Sequence, residues 1–274
     1  MASENKWRNL SVGFALFAIV AMGGCSHPPK GLFQSEIPVA RSDRYPFLLA
    51  RQRELADELA DKDFAHNVKW VFLGDSITNM WLQNAEGGSS GGGQIWRANF
   101  GVGGSGPLSL NLGVSGDRTE HLLHRITPVA KGGEGQLEGL APDKIFILIG
   151  INNIVWPGEP PSVDSVFRGI VRVVETASEQ CPDATIVVTS ILPVQPNGDD
   201  TRLTVAQNYL IEDINRKLEH FASRKNKNLK YFDLRDHFID SYNNMDKKYT
   251  IDGLHLNEDG YKIWQEALSK EFQR

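Results

Sequence analysis

The sequence predicts an α/β fold built on a parallel sheet in a single domain. Five short apolar runs, rich in β-branched residues, alternate along the chain with longer segments that carry apolar side chains at helical spacing. The runs are bounded by glycine, proline or polar residues, which is typical of buried strands. Strands joined through helices pair in parallel by right-handed crossovers. The predicted strands cover residues 68–73, 108–112, 144–149, 185–190 and 229–232.

The bulk composition is ordinary for a globular protein of moderate size. The 274 residues are 41% hydrophobic and 23% charged, which fits one large α/β domain. The formal net charge of -5 gives no electrostatic reason to expect a nucleic acid partner. Two cysteines far apart form neither a disulfide framework nor a zinc-binding pattern, so we expect no metal and no cofactor.

The first segment has the features of a bacterial export signal. A positively charged start precedes an apolar run over residues 10–22, which is too short to span a bilayer. Small residues then lead to Cys25, as in the lipobox of a bacterial lipoprotein, where the cysteine is acylated. We expect a lipoprotein signal peptide over residues 1–24, with an ordinary signal peptide or an uncleaved anchor as alternatives. Ser26 fits sorting to the outer membrane, so we expect lipid anchoring to the cell envelope.

Residues 25–45 contain three prolines and little periodicity, which predicts a tether between the lipid and a folded domain over residues 46–274. The domain opens with a predicted helix over residues 46–66, in which leucines recur at helical spacing. Further helices are predicted over residues 163–179 and 204–224, from 117 or 119 to 126, and from a cap at Asn257 to residue 272.

The first predicted strand leads directly into a small polar pair. Residues 68–73 are mostly apolar and stop at Gly74, and Asp75 and Ser76 follow at once. Open α/β sheets bind ligands just outside the carboxyl ends of their strands. Ser76 is therefore either a nucleophile or an ordinary strand-end residue where Asp75 or Ser76 caps the next helix. This stretch alone does not decide between the two readings.

A glycine-rich insert over residues 87–106 follows the first strand and contains two formal motif matches. Residues 101–106 match Gly-x-Gly-x-x-Gly, but that dinucleotide fingerprint needs a strand before it and a helix after it, and Pro107 and another apolar run follow instead. Residues 87–91 match Gly-x-Ser-x-Gly, but no buried strand precedes them. The insert either shapes the substrate pocket or is disordered.

Three other places at strand ends or on a late loop carry residues suited to a site. The second strand leads to Gly116, the third leads to Asn152, and a loop before the last helix carries Asp252 and His255. In a doubly wound sheet the ends of the first three strands lie side by side, and a late loop can fold over the same edge. We therefore expect these residues to meet Ser76.

These residue types fit ester hydrolysis. A serine hydroxyl becomes a good nucleophile when a base removes its proton, and His255 is the candidate base for Ser76. Asp252 lies in the same short turn and can hold the other imidazole nitrogen. The tetrahedral intermediate needs fixed donors for its negative oxygen, and the backbone amides of Ser76 and Gly116 and the side-chain amide of Asn152 are the candidates.

The four blocks resemble those of the SGNH hydrolase superfamily, also called GDSL-like esterases and lipases. They read Gly74-Asp75-Ser76-Ile77, Asn111-Leu112-Gly113-Val114-Ser115-Gly116-Asp117, Gly150-Ile151-Asn152 and Asp252-Gly253-Leu254-His255. The second and fourth are most similar to the platelet-activating-factor acetylhydrolase-like branch. The resemblance implies a flavodoxin-like, three-layer α/β/α fold, a triad of Ser76, Asp252 and His255, and an oxyanion hole of Ser76, Gly116 and Asn152. One departure is Asn153, where aspartate is commoner.

We therefore expect a serine esterase that acts on small acyl esters, above all acetyl esters, carried by a carbohydrate or another small molecule. A lipase-like, lysophospholipase or thioesterase activity is the alternative among enzymes. A catalytically silent surface-binding lipoprotein is the alternative outside them, and a complete triad argues against it.

Overall fold

Five parallel strands form one sheet in the part of the chain that the structure describes. The computed structural model describes residues 31–43, 45–83, 91–157, 160–195, 201–224 and 227–273. The strands are β1 (Trp70–Gly74), β2 (Ser109–Gly113), β3 (Lys144–Leu148), β4 (Thr185–Thr189) and β5 (Leu229–Phe232). They lie in the order β2-β1-β3-β4-β5, and every pairing is parallel. The predicted α/β fold with five parallel strands is therefore confirmed.

Helices alternate with the strands, as the sequence predicts. They are α1 (Pro46–Ala60), α2 (Lys62–Asn67), α3 (Ser76–Asn79), α4 (Gly93–Asn99), α5 (Thr119–Ile126), α6 (Ile151–Val155), α7 (Val163–Gln180), α8 (Thr201–Arg224) and α9 (Glu258–Phe272). The single helix predicted over residues 46–66 is wrong, because the chain breaks at Asp61, whose side chain caps α2 by accepting the N–H of Phe64. The predicted cap at Asn257 is confirmed, since its side chain accepts the N–H of Gly260.

Helices cover both faces of the sheet and give it three layers. Side chains alternate between the two faces along a strand. Phe72 and Phe146 point to the face covered by α4 and α9, where their rings lie 5.3 Å from Trp96 and 5.2 Å from Phe272. On the other face α5, α7 and α8 pack side by side. Because both faces are covered, β1, β3 and β4 are mainly apolar along their length rather than alternating.

The structure describes the glycine-rich insert from residue 91 onward. It forms α4, which buries Trp96 with its ring centroid 5.3 Å from Phe72 and 5.5 Å from Trp81. A Cβ on Gly92 would lie 2.3 Å from the Trp81 indole, so glycine lets the chain pass against that ring. This part of the insert therefore completes the core beside β1, whereas residues 87–90 lie outside the described ranges.

The chain before α1 is part of the folded domain. In residues 33–43, which we call the N-terminal strap, the Ser35 hydroxyl donates to the Ser165 carbonyl at 2.6 Å. The Thr119 hydroxyl donates to the Ser35 carbonyl at 3.0 Å. The prediction that residues 25–45 form a tether is therefore wrong for its second half, and the domain begins before residue 46. Hydrophobic patterning does not reveal this, because polar and backbone groups, rather than a periodic apolar face, make the contacts.

The predicted signal peptide and Cys25 lie outside the described residues. Within the described ranges, no helix combines the length and the apolar character needed to cross a membrane.

Candidate active site

Ser76 lies at the carboxyl edge of β1, as the first residue of α3. Asp75 caps this short helix, because its Oδ1 accepts the N–H of Ile77 at 3.0 Å. The turn is sharp, since a Cβ on Gly74 would lie only 2.1 Å from the Thr78 hydroxyl oxygen. Glycine at the end of β1 therefore allows the turn that places the serine at the edge of the sheet.

His255 and Asp252 reach Ser76 from the loop before α9. The Ser76 Oγ lies 2.9 Å from His255 Nε2, and His255 Nδ1 lies 2.7 Å from Asp252 Oδ2. Asp252 Oδ1 also accepts the N–H groups of Leu254 and His255, at 3.0 and 2.8 Å. Partial burial raises the pKa of Asp252, but these hydrogen bonds outweigh it and hold that pKa below its usual value. The loop thus presents an ionised carboxylate to the imidazole.

Gly116 and Asn152 follow the two strands that flank β1. β1 pairs with both β2 and β3, so the turns after these three strands lie side by side. Gly116 has a φ of +80°, in the left-handed region that glycine adopts without strain. Asn152, in the first turn of α6, donates from Nδ2 to the Asp117 carbonyl at 2.9 Å. The structure therefore brings all five residues of the predicted triad and oxyanion hole to one edge of the sheet.

The buried side chain of Asp117 joins these turns. Its Oδ2 accepts from Arg125 Nε at 2.7 Å and its Oδ1 accepts from Arg41 Nη1 at 3.3 Å. Arg125 also donates from Nη2 to the Gly74 carbonyl at 3.3 Å, so it links the serine turn to the Gly116 turn. Sequence reasoning missed both arginines. For Arg125 the only signal is its spacing of eight residues from Asp117, and for Arg41 there is none.

Asp75 occupies a very different environment from Asp252. It is fully buried, and its Oδ2 has no hydrogen-bond partner within the described part of the chain. Burial, with the nearby charge of Asp117, raises the pKa of Asp75 to about 7. Its observed contact is the cap of α3, so the structure gives Asp75 a role in the serine turn rather than beside the histidine.

Asn153, which departs from the commoner aspartate, completes a buried polar cluster. Its Oδ1 accepts the N–H of Thr119 at 3.0 Å, and its Nδ2 donates to Glu120 Oε2 at 3.0 Å. Glu120 is itself buried and paired with Arg118, with 2.5 Å between Oε1 and Nε. An amide at position 153 matches the Glu120 carboxylate, because it supplies a donor where aspartate would supply a second negative charge.

The described residues include no group of three or more His, Cys, Asp or Glu side chains that could hold a metal ion. His121 has a structural contact instead, since its Nδ1 accepts the N–H of Arg118 at 3.1 Å at the start of α5. Burial lowers the pKa of His121, which keeps the ring neutral and able to accept this bond.

Known proteins resemble this chain in sequence and in fold. The model of the GDSL-like Lipase/Acylhydrolase family matches residues 72–263. Platelet-activating factor acetylhydrolase IB subunit alpha2 of Rattus norvegicus is 28% identical over 192 residues, which are 70% of this chain and 70% of that protein. A GDSL-like lipase from Bacteroides thetaiotaomicron has a TM-score of 0.60 at 19% identity, over 81% of this chain and 96% of that chain. An acetyl xylan esterase has a TM-score of 0.52 at 18% identity, over 75% of this chain and 100% of that chain.

The Asn153 cluster yields a prediction about stability. Asn153→Asp places a carboxylate against that of Glu120, and we expect a loss of roughly 1–3 kcal/mol in the free energy of unfolding at pH 8. Their repulsion raises the pKa of one carboxyl in the folded state, so the loss shrinks as the pH falls towards 5 and that carboxyl is protonated. Urea denaturation at both pH values measures it. Glu120→Gln added to Asn153→Asp is the matched control and restores stability at pH 8. An equal loss at both pH values would contradict this explanation.

Proposed function

The chain belongs to the GDSL-like lipase/acylhydrolase family and is a carboxylic ester hydrolase, and from that premise we propose that Ser76 is its nucleophile, with His255 as base and Asp252 as the group that orients the base. The resemblance to this family, drawn from four short blocks, is thereby confirmed. The observation that carries the proposal is the continuous hydrogen-bonded series, 2.9 Å from Ser76 to His255 and 2.7 Å from His255 to Asp252.

In the proposed reaction Ser76 Oγ attacks the acyl carbon while its proton passes to His255 Nε2. The imidazolium is stabilised by the Asp252 carboxylate and then donates its proton to the leaving alkoxide. Water attacks the resulting acyl-enzyme with His255 again as the base, which releases the acid and restores the serine.

The negative oxygen of the tetrahedral intermediate is held in this proposal by the backbone N–H groups of Ser76 and Gly116 and by the Asn152 amide. The Asn152 Nδ2 carries two hydrogens, and only one is needed for its bond to the Asp117 carbonyl. No acceptor in the described part of the chain takes the Gly116 N–H. Both donors therefore have a hydrogen available for substrate.

We propose an acetyl ester of a carbohydrate as the substrate. Relatives at 27–28% identity are named as acetylhydrolases, which supports a small acyl group. Trp156 supports the carbohydrate, because this residue is 68% exposed and lies one turn after Asn152. The backbone N–H of Trp156 donates to the Asn152 carbonyl at 3.2 Å, and the Trp156 carbonyl accepts from Arg118 Nη1 at 3.3 Å. These two bonds hold the backbone at Trp156, and its exposed indole is a suitable surface for the apolar face of a sugar ring.

We also propose that Cys25 carries lipid and anchors the protein to the cell envelope, at the outer membrane. The apolar run over residues 10–22 and the small residues before Cys25 support this.

Replacing the nucleophile or the base tests the mechanism. We expect Ser76→Ala and His255→Ala each to lower turnover of p-nitrophenyl acetate by about 10⁴-fold or more, with an unchanged melting temperature. A fluorophosphonate should label Ser76 in the native enzyme, as located by peptide mapping. Ser105→Ala, at an exposed serine, is the matched control and keeps full activity. Wild-type turnover in Ser76→Ala would reject the mechanism, and a native protein without turnover or labelling would be a binding protein.

Replacing Trp156 tests the substrate. We expect Trp156→Ala to lower kcat/KM for an acetylated xylo-oligosaccharide about tenfold, equal to about 1.4 kcal/mol of stacking, because the sugar loses its surface. Trp156→Phe is the control and keeps most of the activity. Turnover of p-nitrophenyl acetate, which has no sugar, should stay within about twofold. A loss confined to long-acyl p-nitrophenyl esters would favour the lipase-like alternative instead.

The lipid anchor is tested by labelling. In a Gram-negative host we expect the native protein to incorporate labelled palmitate and to fractionate with membranes, and Cys25→Ser to do neither. Cys181→Ser, at the buried cysteine, is the matched control and keeps the label. A mature N-terminus found elsewhere by mass spectrometry would overturn the assignment of Cys25.

A further inference from the structure

The N-terminal strap places a cation directly behind the Gly116 turn. Arg41 Nη1 donates to the Ser115 carbonyl at 2.6 Å and to Asp117 Oδ1 at 3.3 Å. The guanidinium group lies against Gly116, since a Cβ there would be 3.2 Å from Nη1. The Arg41 side chain is only 15% exposed, so this contact is a packed one.

The acceptor of this hydrogen bond belongs to the same peptide unit as a proposed oxyanion donor. The Ser115 carbonyl and the Gly116 N–H are the two ends of one planar peptide group, and in a trans peptide they point in opposite directions. A cation that holds the carbonyl therefore fixes the direction of the N–H. A charge-assisted bond to the carbonyl also polarises the peptide and makes its N–H a stronger donor.

Arg41 is itself held in place. Its Nε donates to Asp43 Oδ1 at 2.8 Å, and its Nη2 pairs with Asp43 Oδ2. Burial lowers the pKa of Arg41, but the carboxylates of Asp43 and Asp117 outweigh that effect and raise it, so the guanidinium stays charged. The Val39 N–H also donates to the Glu120 carbonyl at 3.0 Å, which fixes the strap just before the arginine.

We propose that Arg41 is a positioning residue for the oxyanion hole, acting through the Ser115–Gly116 peptide. The inference rests on the proposed function, in which the Gly116 N–H stabilises the tetrahedral intermediate. Glycine at 116 leaves this peptide free to rotate, so the fixed direction of its N–H depends on a partner at the carbonyl. Arg41 lies before residues 72–263, so the part of the chain that matches the family does not contain it.

Steady-state kinetics with p-nitrophenyl acetate test the proposal. We expect Arg41→Ala to lower kcat about 10- to 100-fold, less than the 10²- to 10³-fold expected when a donor itself is removed in Asn152→Ala. KM should stay within about twofold, because the lost interaction forms in the transition state. Arg41→Lys should be intermediate, since it keeps the charge but not the planar group. Added methylguanidinium should partly restore Arg41→Ala and leave Asn152→Ala unchanged.

Arg53→Ala, at an exposed arginine of α1, is the matched control and keeps the native kcat. Two results would overturn the proposal: a native kcat in Arg41→Ala, or a loss that follows the unfolded fraction in thermal melts and is not restored by methylguanidinium. If Arg41→Ala does not fold, Arg41→Lys becomes the test. A native kcat in Arg41→Lys, which lacks the planar guanidinium group, would then overturn the proposal. Failure of the proposed function is a separate result, because Ser76→Ala would then remain active.

Discussion

The geometry of the site depends on the ion pairs that the buried carboxylate of Asp117 makes with Arg125 and Arg41. A buried charge is costly unless it is paired and hydrogen-bonded, and Asp117 meets that need with Arg125 and Arg41. The same residue accepts the Asn152 amide at its carbonyl. Because Arg125 also holds the Gly74 carbonyl, satisfying this one charge links the turns after β1 and β2, and the bond from Asn152 to the Asp117 backbone adds the turn after β3.

The two halves of the site are held in different ways. On the proposed oxyanion side Ser76, Asn152 and Asp117 are buried while Gly116 is exposed, and long-range contacts hold the turns that carry them. The other half is a local loop, in which side chains are 22% exposed at His255 and 41% exposed at Asp252. The Thr250 hydroxyl accepts the Gly253 N–H and donates to the His255 carbonyl, so bonds within the loop set much of its shape, and the Gln195 N–H adds one from outside by donating to the Gly253 carbonyl at 2.8 Å. Donors held across the fold and a base held within a loop together suit the proposed reaction, in which charge develops on the substrate oxygen.

The features that could be predicted from the sequence are those that depend on residues close together in the chain. The strands, the long helices and the loop of Asp252 and His255 depend on near neighbours, so periodicity and spacing were enough to place them. The positions of Gly116 and Asn152 beside Ser76 followed from parallel pairing. The α4 helix was missed because glycines precede it and one tryptophan supplies most of its burial. Arg41 was missed as a partner of Asp117 because it is 76 residues away, and no local pattern encodes such a pair.

The strap also changes what counts as the catalytic domain. Similarity to the family begins at residue 72, and the apolar pattern of a folded domain begins near residue 46. Buried polar contacts begin earlier, at Ser35, and reach the Gly116 turn through Arg41. Polar contacts of this kind bury little apolar surface, so hydrophobic patterning does not reveal them. Each buried polar group nevertheless needs a hydrogen-bond partner. The folded unit must therefore be defined by satisfied buried hydrogen bonds, and by that criterion residues 33–43 belong to the enzyme rather than to its linker.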